Sequence, residues 1–252
     1  MSDHRSTSDF DSDFDSQIDG IAALSDPTRR ALYRFVVAQP APVSRDQAAE
    51  GIGVARHVAK FHLDKLLEDG LLAVEFARAP GRRGPGAGRP AKLYSRSSRE
   101  LAVSLPQRDY ALIGRLFAEA VIEADRGAVS IDEALAVTSR TTGRGLGQQA
   151  RERAGEQPSG GALLDAAVDV LGGCGFEPRS DGTNLTLMNC PFHALAQDYT
   201  DLVCGMNLSL MDGFVDTLAH PGLEAHLEPA PGRCCVLLTQ HAARDQSVID
   251  NG

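Results

Sequence analysis

The sequence predicts an α+β protein in two parts. The N-terminal part is a set of helices closed by a β-hairpin, and the C-terminal part combines helices with a small antiparallel sheet. Three observations predict this. Two short helical segments meet at a glycine turn and are followed by two strand-like runs around a Gly/Pro/Arg loop. The net charge of −9 over 252 residues divides unevenly, at −5 for residues 1–19, +6 for 20–100 and −10 for 101–252. All five cysteines fall between Cys174 and Cys235, outside the basic block.

The elements follow in order. Residues 1–17 are acidic and Ser-rich, without an apolar stretch, and are expected to be a disordered tail rather than a signal peptide. A helical stripe of Ile21, Leu24, Leu32, Phe35 and Val36 predicts helix from about Ile18 to Ala38, with a break at Ser25-Asp26-Pro27, where Pro27 suits the first turn of a new helix. Ser44 and Gln47 have capping-box spacing and open a short helix over Arg45–Glu50. Gly51-Ile52-Gly53 turns the chain, and a second helix runs from Ala55 to Asp69 with Gly70 at its end. Leu71–Phe76 and Ala91–Tyr94 read as strands on either side of residues 79–90. A helix over Gln107–Ala124 carries a broad apolar stripe, and residues 141–161 read as part helix and part linker. Ala162–Leu171 is helical. Strands are expected at Phe176–Arg179 and Asn184–Met188 around Asp181-Gly182, and at Glu224–Leu227 and Cys234–Leu238. A helix spans Ala194–Leu218, with a possible interruption at Gln197–Thr200 where Thr200 would cap a second segment.

No apolar run approaches the ~20 residues needed to cross a bilayer. A cytoplasmic protein with reduced thiols is therefore expected, its cysteines being free thiols, metal ligands or redox groups.

Residues Ile21 to Tyr94 resemble the winged helix-turn-helix of ArsR-like regulators. The resemblance rests on Leu24-Ser25-Asp26-Pro27-Thr28-Arg29-Arg30, on Val54 to Leu66 and on Gly88-Arg89-Pro90-Ala91-Lys92-Leu93-Tyr94. It implies a double-stranded DNA operator as partner. In such a motif the N-terminal residues of the second helix reach base edges, so Arg56, His57 and Lys60 are the expected readers. Arg82, Arg83, Arg89 and Lys92 would put four positive charges on the wing, near phosphates or the minor groove. Val58, His62, Leu63 and Leu66 are expected to face inward, with His62 a hydrogen-bonded structural residue.

The second constellation is Asn189-Cys190-Pro191-Phe192-His193, then Cys204, then Cys234-Cys235. In one continuous helix Cys190 and Cys204 would stand about 21 Å apart, so a shared site needs a break between them. Adjacent cysteines in a strand point to opposite faces, so at most one of Cys234 and Cys235 is expected to join a common site. With the N-terminal part, this arrangement resembles the SufR-type iron–sulfur regulators. The resemblance implies a repressor holding an iron–sulfur cluster, [4Fe–4S] in preference to [2Fe–2S], on Cys190, Cys204 and one of Cys234 and Cys235. His193, Cys174 or a small thiol could complete the four ligands. The rival readings are a zinc site, a small organic ligand with incidental cysteines, and a Cys190–His193 nucleophile pair. The last is set aside for want of an oxyanion motif or a third orienting residue, and the protein is expected not to be an enzyme. The expected division is a tail over 1–17, a winged helix-turn-helix over 18–100, a helical dimerisation region over 101–140, a cysteine-containing sensor over 141–242 and a second disordered tail over 243–252. A homodimer is expected.

Overall fold

The computed structural model describes residues 7–77, 90–127 and 129–240, with side chains from residue 14 onward. The chain divides into two compact units, one over Asp11–Val103 and one that includes the chain from Ser104 onward. The tail expected over 243–252 lies outside the described residues.

Helix α1 (Thr7–Ala23) leads into the first unit, which takes it from Asp11 onward. Much of the stretch expected to be disordered is therefore helical. Its last turns are fastened by later residues. The Arg99 guanidinium donates to the Ser16 carbonyl (2.6 Å) and hydroxyl (2.7 Å), and the Gln17 side chain accepts from the Ala102 amide (3.0 Å). Composition alone carries no trace of partners more than eighty residues away. The break at Ser25-Asp26-Pro27 is present. Asp26 caps α2 (Pro27–Val37) by accepting from the Arg29 amide at 2.9 Å, with Pro27 in the first turn.

Strand β1 (Val43–Ser44) was not foreseen, being only two residues long. Ser44 also closes the expected capping box on α3 (Arg45–Ile52), where the Gln47 side chain accepts from the Ser44 amide at 2.8 Å and the Gln47 amide donates to the Ser44 hydroxyl at 3.3 Å. Gly53 ends α3 at φ +70°, a left-handed conformation that glycine adopts without strain. Helix α4 (Arg56–Glu68) follows, then β2 (Leu72–Ala77) and β3 (Ala91–Arg96). The three strands form an antiparallel sheet in the order β1-β3-β2. Leu32, Leu63, Leu66, Leu72 and Tyr94 are at the centre of this unit's core.

The second unit contains α5 (Tyr110–Gly127), α6 (Ile131–Ala154), α7 (Gly160–Gly173), β4 (Pro178–Ser180), β5 (Leu185–Leu187), α8 (His193–Asp198), α9 (Thr200–Leu218), β6 (Leu223–Leu227) and β7 (Val236–Gln240). The strands make one antiparallel sheet, β4-β5-β7-β6.

Two boundaries need correction. Of the stretch read as part helix and part linker, residues 141–154 belong to α6, and the expected division at 140 falls inside that helix. The glycines that suggested a linker are instead a contact surface. A Cβ on Gly143 would run into the Leu210 carbonyl, and one on Gly147 into the Phe214 carbonyl, so the backbones of α6 and α9 meet directly. Likewise α5 spends Leu112, Ile113, Leu116 and Ala120 on this unit's own core, leaving Tyr110, Val121 and Ile122 exposed.

Candidate nucleic-acid interface and thiol site

Helix α4 buries Ala59, Leu63 and Leu66 against the first core, and Val58 and His62 lie half-buried beside them. Arg56, His57 and Lys60 are exposed at its N-terminal half. Arg56 pairs with Asp46 of α3 at 2.6 Å, and Lys60 lies 3.7 Å from Asp64. His62 faces inward as expected, but one of its ring nitrogens is left unpaired. Its Nδ1 is buried without a hydrogen-bond partner, 3.9 Å from the Asp26 carboxylate, and its ring meets Phe61 edge-on at 5.1 Å. The inward position satisfies the packing of α4 but leaves the Asp26 carboxylate beyond hydrogen-bonding distance of Nδ1.

Of the wing cations, Arg82, Arg83 and Arg89 lie outside the described residues. Lys92 is engaged within the fold. Its ammonium donates to Asp64 Oδ1 at 2.7 Å and stands 5.1 Å over the Tyr94 ring, while the Tyr94 hydroxyl donates to the same oxygen at 3.2 Å. Asp64 thus braces α4 against β3. Sequence reasoning missed it because its partners are 28 and 30 residues away.

Burial alone would raise the Asp64 carboxyl. The hydrogen bond and charge of Lys92, the Tyr94 hydroxyl and Lys60 outweigh burial and hold it below the usual carboxylate value. A depressed carboxylate stabilises the fold above its unfolded pKa, and that stability fades as pH falls through the folded value. Asp64→Asn is expected to cost about 1 kcal/mol near pH 7, with the gap to wild type closing towards about pH 3. Thermal melts at both pH values check this, and a gap independent of pH would contradict it.

The cysteines sort into one group of four and one apart. The Cys190 and Cys234 thiols are within hydrogen-bonding reach of one another, as are those of Cys204 and Cys235 and of the neighbours Cys234 and Cys235. The interruption that permits this is at Tyr199 (φ −131°, ψ 53°), between α8 and α9. Thr200 does not cap α9, since its hydroxyl donates back to the Ala196 carbonyl at 2.8 Å. The expectation that Cys234 and Cys235 face opposite ways also fails. Both precede β7, where strand alternation does not apply, and their thiols are within hydrogen-bonding reach of one another as well as of Cys190 and Cys204.

Donors converge on these sulfurs. The Phe192 amide donates to Cys190 and the Val236 amide to Cys234. The Asn207 side-chain amide donates to Cys234 Sγ at 3.2 Å. Asn207 is 1% exposed, and its Oδ1 is buried with no partner. It was not foreseen, although a polar residue three positions after Cys204 in an apolar helix was a visible signal. The Cys190 thiol is pushed up by its hydrogen bond with Cys234 and by burial. Burial raises Cys204. Cys234 is lowered by Cys190, but Cys235 and burial outweigh this and bring it to about 11.

His193 is exposed at the first position of α8 and does not contribute to the state of Cys190, so the two do not form an activated pair. Cys174 stands apart and is pushed up to about 12 by burial and by Asp109. Among the described residues, no group of three or more His, Cys, Asp or Glu side chains is arranged to hold a metal ion, and the four thiols form a run in the order Cys190, Cys234, Cys235 and Cys204.

The Cys190 loop is fastened to the segment preceding α5. Arg108 donates to the Asn189 side chain and to the Cys190 carbonyl (3.1 Å). The buried Asn189 donates to the carbonyls of Gln107 (2.8 Å) and Gly175 (2.6 Å), and the Asp109 amide donates to the Pro191 carbonyl (3.1 Å).

Residues 24–75 match a protein family described as a helix-turn-helix domain, which spans α2 to most of β2. Searches of curated proteins and of solved structures returned no match. The family match supports a helix-turn-helix regulator that binds double-stranded DNA. None of the described helices is long and apolar enough to cross a membrane.

Proposed function

We propose that the chain is a transcriptional repressor of the ArsR-like winged-helix type whose operator affinity depends on an iron–sulfur cluster in its second unit, as in the SufR-type regulators it resembles. In this reading α4 enters the major groove, and Arg56, His57 and Lys60 read base edges or phosphates. The wing cations Arg82, Arg83 and Arg89 add sequence-independent attraction, while Lys92 braces β3 against α4 through Asp64. A homodimer is the form that matches two operator half-sites.

The observation that carries the cluster reading is the meeting of Cys190, Cys204, Cys234 and Cys235, which the chain brings from three separate stretches into one corner. The donor set fits. Thiolates are the usual cluster ligands, four per cluster. N–H donors aimed at sulfur from Phe192, Val236 and Asn207 suit the deprotonated, ligating form. The four cysteines would hold the cluster, with the exposed His193 as a reserve ligand. The group would supply a redox-sensitive cross-link among the Cys190 loop, α9 and the segment before β7. The resemblance favours [4Fe–4S] over [2Fe–2S]. The protein's own part is transmission. Arg108, Asn189 and the Asp109 amide tie the Cys190 loop to residues 107–109, the stretch of chain next after the DNA-binding unit.

Full-length protein purified without oxygen is expected to be brown, to contain iron and acid-labile sulfide, and to bind a selected duplex more tightly than the apo form at fixed salt. A colourless protein carrying zinc would replace the cluster by a zinc site, the alternative reading that the same thiols allow. Equal binding by apo and loaded protein would end the regulatory reading.

A further inference from the structure

Helix α4 carries a large apolar side chain that the fold does not use. Phe61 is 62% exposed. The buried residues Ala59, Leu63 and Leu66 define the inward direction of α4. At 3.6 residues per turn, Phe61 lies about 200° around the helix from Ala59, at the pole farthest from the core. His57 is one turn earlier on the same face, and Lys60 flanks it; both are exposed. The carboxylates nearest this pole are occupied, Asp64 by Lys92 and Lys60, and Glu68 by Lys65 at 2.8 Å. The His62 ring touches Phe61 edge-on, which limits its freedom to fold back.

An exposed phenyl ring beside His57 and Lys60, on the helix that the proposed function places in a groove, fits one feature of duplex DNA. The floor of the major groove is lined by polar base edges, and its apolar feature is the 5-methyl group of thymine. We infer that Phe61 is a specificity-determining residue that packs against a thymine methyl in each operator half-site, between phosphate or base contacts made by His57 and Lys60. The inference rests on the DNA-binding part of the proposed function and not on the cluster.

The probe is the tightest duplex that the full-length chain selects from a random library. Each thymine in it is replaced in turn by uracil, which removes the methyl and leaves pairing intact. For wild type, one uracil position per half-site is expected to weaken binding by about threefold to tenfold. Phe61→Ala should weaken binding to the thymine duplex by a similar factor and be indifferent to uracil at that position, so that the two changes are not additive. Phe61→Leu should keep most of the thymine preference. The exposed position makes all three proteins comparable in folding, which circular dichroism checks. Wild-type binding unmoved by every uracil overturns the inference while leaving DNA binding intact, and so does a Phe61→Ala variant as sensitive to uracil as wild type. Selection of no duplex at all overturns both this inference and the DNA-binding reading.

Discussion

Gly143→Ala is expected to destabilise the second unit by roughly 3 kcal/mol, while Gly145→Ala, two residues along the same helix, is expected to stabilise it by about 0.5–1 kcal/mol. The intrinsic preference is the same at both positions, because alanine is the better helix former. The surroundings differ. A Cβ at Gly145 meets nothing within 4 Å, whereas a Cβ at Gly143 meets the Leu210 carbonyl, a backbone group that moves only if α9 moves. Gly147 against Phe214 and Gly213 against the Arg140 carbonyl repeat the arrangement along the crossing. At its rim Arg140 pairs with Asp212 (2.8 Å) and Asp216 (3.1 Å), which opposes sliding of one helix along the other. Overpacking typically costs 1–3 kcal/mol, and backbone at three successive contacts puts this site at the upper end. Urea unfolding of the two variants beside wild type decides it. A Gly143→Ala variant as stable as wild type would show that the helices separate at little cost.

How much of this was legible in sequence depended on the range of the interactions. The Asp26 cap, the Ser44–Gln47 box and the Gly53 and Gly70 turns each involve neighbours within a few residues, so their spacing in sequence is their geometry. The hairpin of β2 and β3 was equally plain, because it joins two runs of strand-forming residues. What composition misjudged was settled at long range. Glycines in α6 made the stretch read as only part helix because their loss of helix preference is local, while the compensating contact with α9 lies more than sixty residues away. The acidic N-terminal stretch read as disordered because Arg99 was not visible as its partner. At the thiol site the spacing demanded a break between Cys190 and Cys204, and Tyr199 supplies it. The directions of Cys234 and Cys235 were misjudged because the strand was taken to begin two residues early, and one bend changes the direction of both side chains.

That bend sets the second large prediction. Cys190→Ser, Cys204→Ser and Cys234→Ser are each expected to abolish the visible absorption of anaerobically purified protein, and Cys235→Ser to reduce it by about tenfold or more, whereas Cys174→Ser leaves it intact. The reasoning is one of position. Cys190 and Cys204 are offered by separate elements, each facing one member of the vicinal pair, so that no other thiol of the corner takes the place of either. Cys174 lies apart under the influence of Asp109, Arg115 and Arg153, and has no part in the pairs. Serine keeps the volume and removes the soft sulfur donor, so a loss of colour without a loss of helix signal separates ligation from folding. Asn207→Leu belongs in the same series. It removes the donor to Cys234 without touching a thiol, and it should leave the colour but hasten its bleaching in air. If Cys174→Ser alone bleached the protein, the converging pairs would be a packing feature and the ligand set would lie elsewhere. If all five serine variants kept the wild-type spectrum, the thiols of this corner would hold nothing, and the second unit would have to respond to a ligand of another chemistry.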